Sequence, residues 1–230
     1  MASLAAITAR GGSKRIPRKN VKPFMGKPML AYAVEAALGS GVFDEVMVST
    51  DDAEIAGVAE RFGAKVPFMR SPETSDDFAS TADVLSEVLR EYRARGKTFD
   101  TLCCVYPCVP FLTPEILAEA AKKFASSGAD ALMPAVRYSH PIQRALIVGE
   151  GGFARYREPE NARARTQDLP PAYHDAGMFY FARVCAFEKY GTLVCPKTLL
   201  FEMDERRVQD IDTPRDWKLA EIKYGILRDV

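Results

Sequence analysis

The sequence predicts an α/β fold, with a mostly parallel sheet and helices on both faces. Short apolar runs alternate along the chain with longer segments in which apolar residues recur at helical spacing. Such repeated strand–helix alternation is typical of a parallel sheet that helices cover on both sides. The chain has 230 residues, of which 47% are hydrophobic, and this is enough to bury a sizeable core.

The strands are predicted from apolar runs that end in glycine, proline or polar residues. They cover residues 4–9, 45–50, 64–69, 101–106, 131–136, 178–182 and 199–203. In folds of this class, ligands bind at the carboxyl ends of the strands. The segments after the first strand, after Tyr106 and after the late strands are therefore candidate sites.

The helices are predicted from capping residues and from apolar periodicity. Pro28 suits the start of a helix over residues 29–38. Asp51, with Glu54 three residues later, forms a capping-box pattern that begins a helix ending near Gly63. Three further helices are predicted over residues 80–95, 113–128 and 214–228.

Charge and composition argue against several classes of protein. Lys+Arg and Asp+Glu both total 31, so the net charge is zero, and we expect no nucleic-acid partner. No apolar run approaches the roughly 18 residues that span a bilayer, and the apolar N-terminus is interpreted as a first strand, not a signal peptide. We therefore expect no membrane partner. Five cysteines without metal-site spacing are typical of buried free thiols, which indicates a cytoplasmic protein.

Positive charge is concentrated at the N-terminal end of the chain. Residues 1–34 contain no acidic side chain and seven basic ones: Arg10, Lys14, Arg15, Arg18, Lys19, Lys22 and Lys27. A basic segment inside a neutral protein indicates a local anion-binding site. A triphosphate, an RNA end and an anionic partner surface are the three candidate ligands.

The loop that follows the first strand, residues 9–20, is called the basic loop below. Gly11 and Gly12 allow backbone N–H groups to approach a ligand closely, and Ser13 adds a hydroxyl donor. Its cations could surround the β- and γ-phosphates of a nucleotide: Arg10, Lys14 and Lys19. The loop contains neither the GxxxxGK[ST] pattern nor the dinucleotide fingerprint GxGxxG.

A second candidate site is the Asp-Ile-Asp sequence at residues 210–212. Residues i and i+2 of an extended chain project to one side, so Asp210 and Asp212 can share a hard cation such as Mg²⁺. Beside a triphosphate, that ion would bridge phosphate oxygens. The alternative is that Asp212 or Thr213 caps the helix that begins at Pro214.

Residues 138–175 interrupt the alternation of strands and helices. The GEGG sequence at 149–152 predicts a hairpin turn between two short strands. We expect the 138–175 segment either to pack on a second subunit or to close over the site.

The basic loop sequence, ARGGSKRIPRKN, resembles the signature of the CMP-nonulosonic acid synthetases, or acylneuraminate cytidylyltransferases. Further segments match the family in its own order: STDDAEIA (49–56), RSPETSDDFAST (70–81), RTQDLPPAYHDAGMFYF (165–181) and DIDTPRDW (210–217). The resemblance implies a single cytidylyltransferase domain over residues 1–230, with a Rossmann-like nucleotide-diphospho-sugar transferase fold. It also implies a homodimer, and Mg²⁺ as cofactor.

The resemblance further implies roles for the matching residues. CTP would be bound by Arg10, Gly11, Gly12, Ser13, Lys14, Lys19, Asn20, Arg70, Ser80 and Thr81. The catalytic residues would be Lys19, which lies near the leaving pyrophosphate in the family, with Arg10, Lys14 and Asp212. Asp210 and Asp212 would hold Mg²⁺. The sugar pocket would contain Tyr106, Gln167, Asp175, Phe179 and Tyr180. Because Phe179 and Tyr180 are neighbours on a predicted strand, one of them is expected to belong to the core.

Within the family, the SKRIPRKN and DAGMFYF sequences resemble the pseudaminic acid enzymes. Sialic acid enzymes usually carry Asn-Gly where this chain has Ala176-Gly177, and glutamine where it has Tyr106. The resemblance implies transfer of CMP from CTP to the anomeric hydroxyl of pseudaminic acid, with release of pyrophosphate, to activate the sugar for glycan or flagellin modification. The alternatives are the same reaction on sialic, legionaminic or deoxy-octulosonic acid, and a non-catalytic nucleotide- or RNA-binding module.

Overall fold

The computed structural model describes residues 2–228, which form a central seven-stranded sheet and two small ribbons. The strands are β1 (Ser3–Thr8), β2 (Pro23–Phe24), β3 (Lys27–Pro28), β4 (Glu45–Ser49), β5 (Thr101–Val105), β6 (Ala131–Arg137), β7 (Leu146–Val148), β8 (Ala154–Tyr156), β9 (Tyr173–Asp175), β10 (Phe179–Arg183) and β11 (Thr198–Glu202). The ribbons pair β2 with β3 and β7 with β8.

The central sheet has the strand order β11-β6-β10-β5-β1-β4, and β9 pairs with β6 beside this path. β1 is parallel to β4 and β5, and β11 is parallel to β6. β10 is antiparallel to both of its neighbours, β5 and β6. Five strands therefore point in one direction, which confirms the mostly parallel sheet, and β9 and β10 point in the other.

Within residues 2–228, six α-helices connect or flank the strands. They are α1 (Met29–Gly39), α2 (Ala53–Arg61), α3 (Thr81–Ala94), α4 (Pro114–Ser126), α5 (Val184–Tyr190) and α6 (Pro214–Arg228). Five of them lie where the sequence predicts a helix, whereas α5 was not predicted, because it is short and follows β10 without a capping side chain.

Two predictions about the 51–69 region are wrong. The cap of α2 is Asp52 and not Asp51, because the Asp52 carboxylate accepts the backbone N–H groups of Glu54 and Ile55 at 3.0 Å. Residues 64–69 do not form a strand, since only an isolated bridge joins Lys65 to Met47. Pro67 lies in this stretch and lacks the N–H that a strand ladder would need.

Helices cover both faces of the sheet, as predicted. Side chains of α1, α2, α4 and α6 pack on one face, and those of α3 and α5 pack on the other. Successive strand residues alternate between these two cores, so Ile7 belongs to the first core and Ala6 to the second. No helix within residues 2–228 is both long and apolar enough to cross a membrane.

The 138–175 segment contains the predicted hairpin. β7 and β8 pair in an antiparallel ribbon around the GEGG turn, where Gly151 and Gly152 have φ values of 72° and 80°. All five cysteines are free. Cys103, Cys104 and Cys195 are buried, but Cys185 is exposed, so the prediction of a buried thiol is wrong there.

Candidate active site

A cavity of about 430 Å³ lies at the carboxyl ends of β1 and β5. It is lined by Thr8, Arg10, Ser13, Lys14, Arg15, Lys19, Asn20, Pro107 and Asp212. Six of these were predicted as site residues from the sequence, and five of the six belong to the basic loop. The cavity therefore joins the two candidate sites that lie almost two hundred positions apart in the chain.

Asp212 closes one side of the cavity through ion pairs with the basic loop. An Arg15 guanidinium nitrogen lies 2.8 Å from Asp212 Oδ2, and Lys19 Nζ lies 3.5 Å from Asp212 Oδ1. Lys19 Nζ also donates a hydrogen bond to the Ile211 carbonyl oxygen at 2.7 Å. Because Ile211 is buried, this bond ties the loop to the core beneath the cavity.

The start of α6 is capped by residues other than the predicted metal ligands. The Thr213 hydroxyl accepts the backbone N–H of Asp216 at 3.3 Å, and the Asp216 carboxylate accepts the backbone N–H of Thr213 at 2.8 Å. This reciprocal pair leaves the Asp212 carboxylate directed at the cations. Asp210 is exposed and does not line the cavity.

Two further cations of the cavity lining pair with a carboxylate outside the lining, Asp77. Arg10 Nη1 lies 3.0 Å from Asp77 Oδ1, and Lys14 forms an ion pair with the second oxygen of the same carboxylate. These two cations hold the pKa of Asp77 below its usual value, with Lys14 the larger cause. Neither Asp77 nor the cavity-lining Arg15 was predicted as a site residue from the sequence. The acidic pair inside the RSPETSDDFAST segment was the available signal for Asp77.

Asn20 holds the basic loop in shape. Its side chain is 5% exposed, its amide donates to the Arg10 carbonyl oxygen at 2.9 Å, and the Cys108 thiol donates to its Oδ1 at 3.3 Å. Burial raises the pKa of Cys108 to about 12, so the thiol keeps its proton and remains a donor. Asn20 thus fixes the position of Arg10 through the backbone.

Gly11 has a structural role in the basic loop. The Gly11 N–H donates to Asp51 Oδ1 at 2.8 Å, so this amide is already used within the protein. A Cβ at Gly11 would lie only 2.9 Å from an Asp52 carboxylate oxygen, which explains why glycine is needed there. At Gly12 a Cβ would meet no atom within 4 Å.

Arg18 does not point at the cavity but holds α2. It pairs with the carboxylates of Asp52 and Glu54 and has a left-handed backbone with φ of 57°. The hydrogen bond from Arg18 lowers the pKa of Asp52 to about 2. One of the seven cations of the basic segment is thereby assigned to stability and not to anion binding.

Arg70, Ser80 and Thr81, which were predicted to bind CTP, do not line the cavity. Arg70 is 7% exposed, and its guanidinium donates to the hydroxyl and the carbonyl oxygen of Ser49 at 3.0 Å and 2.6 Å. Ser80 caps α3 in a capping box with Asp83. These residues have structural partners of their own, and their contact with a nucleotide stays a prediction.

A second cluster, here called the tyrosine cluster, comprises Tyr106, Asp175 and Tyr180. The Tyr180 hydroxyl donates to Asp175 Oδ2 at 2.7 Å, and the Tyr106 and Tyr180 rings lie 5.4 Å apart. Asp175 Oδ1 accepts the N–H of Gly177 at 2.8 Å. Burial raises the pKa of Tyr106, and a hydrogen bond with Thr81 opposes that rise. The cluster adjoins the cavity because Tyr106 directly precedes the cavity-lining Pro107.

The two remaining predicted sugar residues lie elsewhere. Phe179 has 0% exposure and packs against Phe181 and Phe201 in the first core, so it is the member of the Phe179–Tyr180 pair that belongs to the core. Gln167 is exposed on a 3-10 turn of the 138–175 segment. The structure does not bring either side chain to the tyrosine cluster or to the cavity.

The fold and the cavity define a nucleotidyltransferase, in which a basic loop after the first strand faces a carboxylate at the edge of a mostly parallel sheet. Similarity to known sequences identifies the family within the nucleotidyltransferases. The sequence profile of the cytidylyltransferases matches residues 4–204, and the chain belongs to this family of CTP-dependent enzymes.

Two relatives and one solved structure illustrate the similarity. The chain is 41% identical to the pseudaminic acid cytidylyltransferase of Campylobacter jejuni subsp. jejuni serotype O:2, over 98% of this chain and 97% of that one. It is 31% identical to the CMP-N,N'-diacetyllegionaminic acid synthase of Legionella pneumophila, over 96% and 95% of the two chains. The structure of a CMP:2-keto-3-deoxy-manno-octonic acid synthetase complexed with CTP superposes with a TM-score of 0.71 at 21% identity, covering 100% of both chains. That last likeness supports the fold.

Proposed function

We propose that this protein transfers CMP from CTP to the anomeric hydroxyl of pseudaminic acid, a nine-carbon keto-acid sugar, and releases pyrophosphate. The observation that carries the proposal is the cavity lined by four cations of the basic loop and by Asp212. The 41% identity to a pseudaminic acid cytidylyltransferase over nearly the whole chain supports this choice of sugar.

The reaction forms a bond between the anomeric oxygen and the α-phosphorus of CTP and breaks the bond to the pyrophosphate oxygen. Negative charge grows on the leaving group as this bond breaks. Cations placed beside it stabilise the transition state more than the ground state. Lys19, Arg10 and Lys14 supply that positive charge, and the bond from Lys19 to the Ile211 carbonyl fixes the lysine before the substrate arrives.

Asp210 and Asp212 are the residues that would hold Mg²⁺. Their carboxylate oxygens suit this ion, which needs only one or two protein carboxylates when phosphate oxygens and water supply the remaining ligands. Both carboxylates lie close enough to Cys108 to contribute to the raised pKa of its thiol, so they share one region of the structure. When bound, Mg²⁺ would neutralise charge on the phosphates. The same proposal includes contacts of Arg70, Ser80 and Thr81 with the cytosine and ribose of CTP.

A homodimer built through the 138–175 segment is also proposed. The hairpin of β7 and β8 exposes three apolar side chains, Leu146, Val148 and Phe153, the last two by more than three quarters. Apolar residues grouped in this way on a projecting hairpin are typical of protein interfaces. The double variant V148D/F153D is expected to sediment as a monomer, and an unchanged sedimentation coefficient would favour closure of the segment over the site.

A panel of acceptors tests the proposed reaction. CTP is incubated with pseudaminic, legionaminic, sialic or deoxy-octulosonic acid, and pyrophosphate release is measured for each. We expect the highest kcat/KM with pseudaminic acid, and a cytoplasmic enzyme would meet both substrates there. A higher value with another sugar would reassign the acceptor. Binding of CTP without pyrophosphate release from any sugar would favour a non-catalytic nucleotide-binding module.

A further inference from the structure

The four cations that line the cavity form ion pairs with two different carboxylates. Arg15 and Lys19 contact Asp212, whereas Arg10 and Lys14 contact Asp77. Asp212 belongs to the proposed metal site. Asp77 has no role in the proposed reaction, yet its two carboxylate oxygens occupy the cations that would receive the phosphates of CTP.

The chain segment around Asp77 is built to present this carboxylate. The Asp76 side chain accepts the backbone N–H groups of Phe78 and Ala79 at 2.9 Å and 2.7 Å, which closes a tight turn. The Asp76 carbonyl oxygen accepts a hydrogen bond from Arg10 Nη1 at 3.0 Å. The turn therefore delivers one carbonyl oxygen and one carboxylate to the same arginine.

Both ends of this segment are anchored to α3. Glu87, which is 4% exposed, accepts the Ser71 N–H at 2.9 Å and the Thr74 hydroxyl. At the other end, Ser80 and Asp83 form the capping box of α3. An ion pair between two freely mobile surface side chains contributes little. Asp77 belongs to a segment that is fixed at both ends, so less conformational entropy is lost when its carboxylate contacts Arg10 and Lys14.

A phosphate group and the Asp77 carboxylate compete for the same donors. Guanidinium and ammonium groups bind both oxyanions in the same way. A phosphate and the Asp77 carboxylate would also repel each other when both contact the same cations. Binding of both anions to Arg10 and Lys14 at once therefore costs energy.

We propose that Asp77 is a displaceable counter-ion: it occupies Arg10 and Lys14 in the free enzyme, gives way to the phosphates of CTP, and returns as pyrophosphate leaves. The inference rests on the proposed function. Asp77 is a positioning residue, since it acts through the two cations. Its effect is to weaken the binding of phosphate-containing anions, including the product, so that the site empties after each turnover.

Calorimetric titration of the ligand-free protein with pyrophosphate tests this inference. Asp77→Asn keeps the size of the side chain and removes the competing charge, so pyrophosphate should bind about threefold to tenfold more tightly, on the scale of one or two exposed ion pairs. Asp77→Glu retains a carboxylate and should stay close to the wild-type affinity. Glu73→Gln is the matched control, because it removes the same charge from an exposed position of the same segment.

The outcomes are distinct. Tighter binding in Asp77→Asn alone supports the inference, because a merely damaged site would not gain affinity. Unchanged or weaker binding in a folded Asp77→Asn protein would overturn it and would make Asp77 an organiser of the cations. An equal gain in pyrophosphate affinity in Glu73→Gln would show that the gain comes from the change in net charge and not from competition at Arg10 and Lys14. That result would also overturn the inference. If the wild type binds no pyrophosphate and turns over no CTP, the proposed function itself fails, and the role of Asp77 fails with it.

Discussion

The cavity and the tyrosine cluster are neighbours, but they are built on different chemistry. The cavity is lined by cations of the basic loop and by Asp212, and Asp77 pairs with two of those cations. The tyrosine cluster contains two aromatic rings and one exposed, hydrogen-bonded carboxylate, Asp175. A half rich in paired charges can release and bind a highly charged ligand, whereas an aromatic half can distinguish substituents by shape and single hydrogen bonds. The difference predicts that variants in the two halves will change different kinetic constants.

The largest effect is expected for Lys19→Ala in the charged half. The variant loses a positive charge beside the leaving group and the bond to Ile211, so kcat should fall by about 100-fold or more at saturating CTP. Steady-state pyrophosphate release measures it. Lys22→Ala, which removes an exposed cation that stacks over Trp217, is the control and should leave kcat nearly unchanged. Near-normal turnover in Lys19→Ala would remove this residue from the mechanism.

Asp212→Asn should lower activity by about tenfold or more and shift the Mg²⁺ dependence to higher concentration. The physical reason is that the variant removes a carboxylate that lines the cavity, while Asp210 lies outside the lining. Activity measured across a Mg²⁺ titration should therefore show a larger shift for Asp212→Asn than for Asp210→Asn. Equal Mg²⁺ curves for Asp212→Asn and wild type would contradict the metal assignment.

Tyr180→Phe tests the aromatic half and should have a smaller effect than Lys19→Ala or Asp212→Asn. Removing the hydroxyl that donates to Asp175 leaves that carboxylate free to move, so we expect KM for the sugar to rise about fivefold to tenfold with KM for CTP unchanged. Tyr92→Phe is a matched control, since the Tyr92 hydroxyl donates to the Glu45 carboxylate at 3.1 Å far from the site. A rise in KM for CTP in Tyr180→Phe would show that the two halves are not separate.

The smallest effect concerns stability and lies outside both halves. Asp52→Asn keeps an oxygen to cap α2 but loses the ion pair with Arg18, so unfolding free energy near neutral pH should fall by about 1 kcal/mol. Because the folded pKa of Asp52 is lowered to about 2, this contribution is present above pH 4 and is lost as the pH falls toward 2. Urea unfolding at pH 7 and at pH 2.5 measures the difference. The same difference in unfolding free energy between wild type and Asp52→Asn at both pH values would contradict the ion-pair explanation.

The sequence predicts the alternating architecture well because apolar periodicity and helix caps are local signals. The prediction fails where the answer depends on the rest of the chain. The direction of β10 follows from the path of the 138–175 segment, which no local pattern encodes. The choice between Asp51 and Asp52 as the cap of α2 depends on Gly11, because the Gly11 N–H donates a hydrogen bond to the Asp51 carboxylate.

The charged half of the site was predictable for a different reason. Its cations are crowded into one acid-free stretch, so composition alone predicts an anion-binding site there. Partners that come from distant positions, such as Asp77 and the thiol of Cys108, leave no comparable mark, because single acids and cysteines occur throughout the chain. The sequence does not decide whether Phe179 or Tyr180 belongs to the first core, because strand alternation requires only that neighbouring side chains point to opposite faces. In the structure Phe179 is fully buried there.

The reversed direction of β10 has a consequence for how this enzyme could change its acceptor. Because β10 begins where β5 ends, Asp175 and Tyr180 join Tyr106 in the tyrosine cluster directly from the 138–175 segment, through β9 and a short turn at Gly177. None of the strands that carry the nucleotide-facing loop lies on that path. Given the proposed sugar contacts of the tyrosine cluster, exchange of this single stretch between relatives would change two of its three residues and leave the basic loop intact.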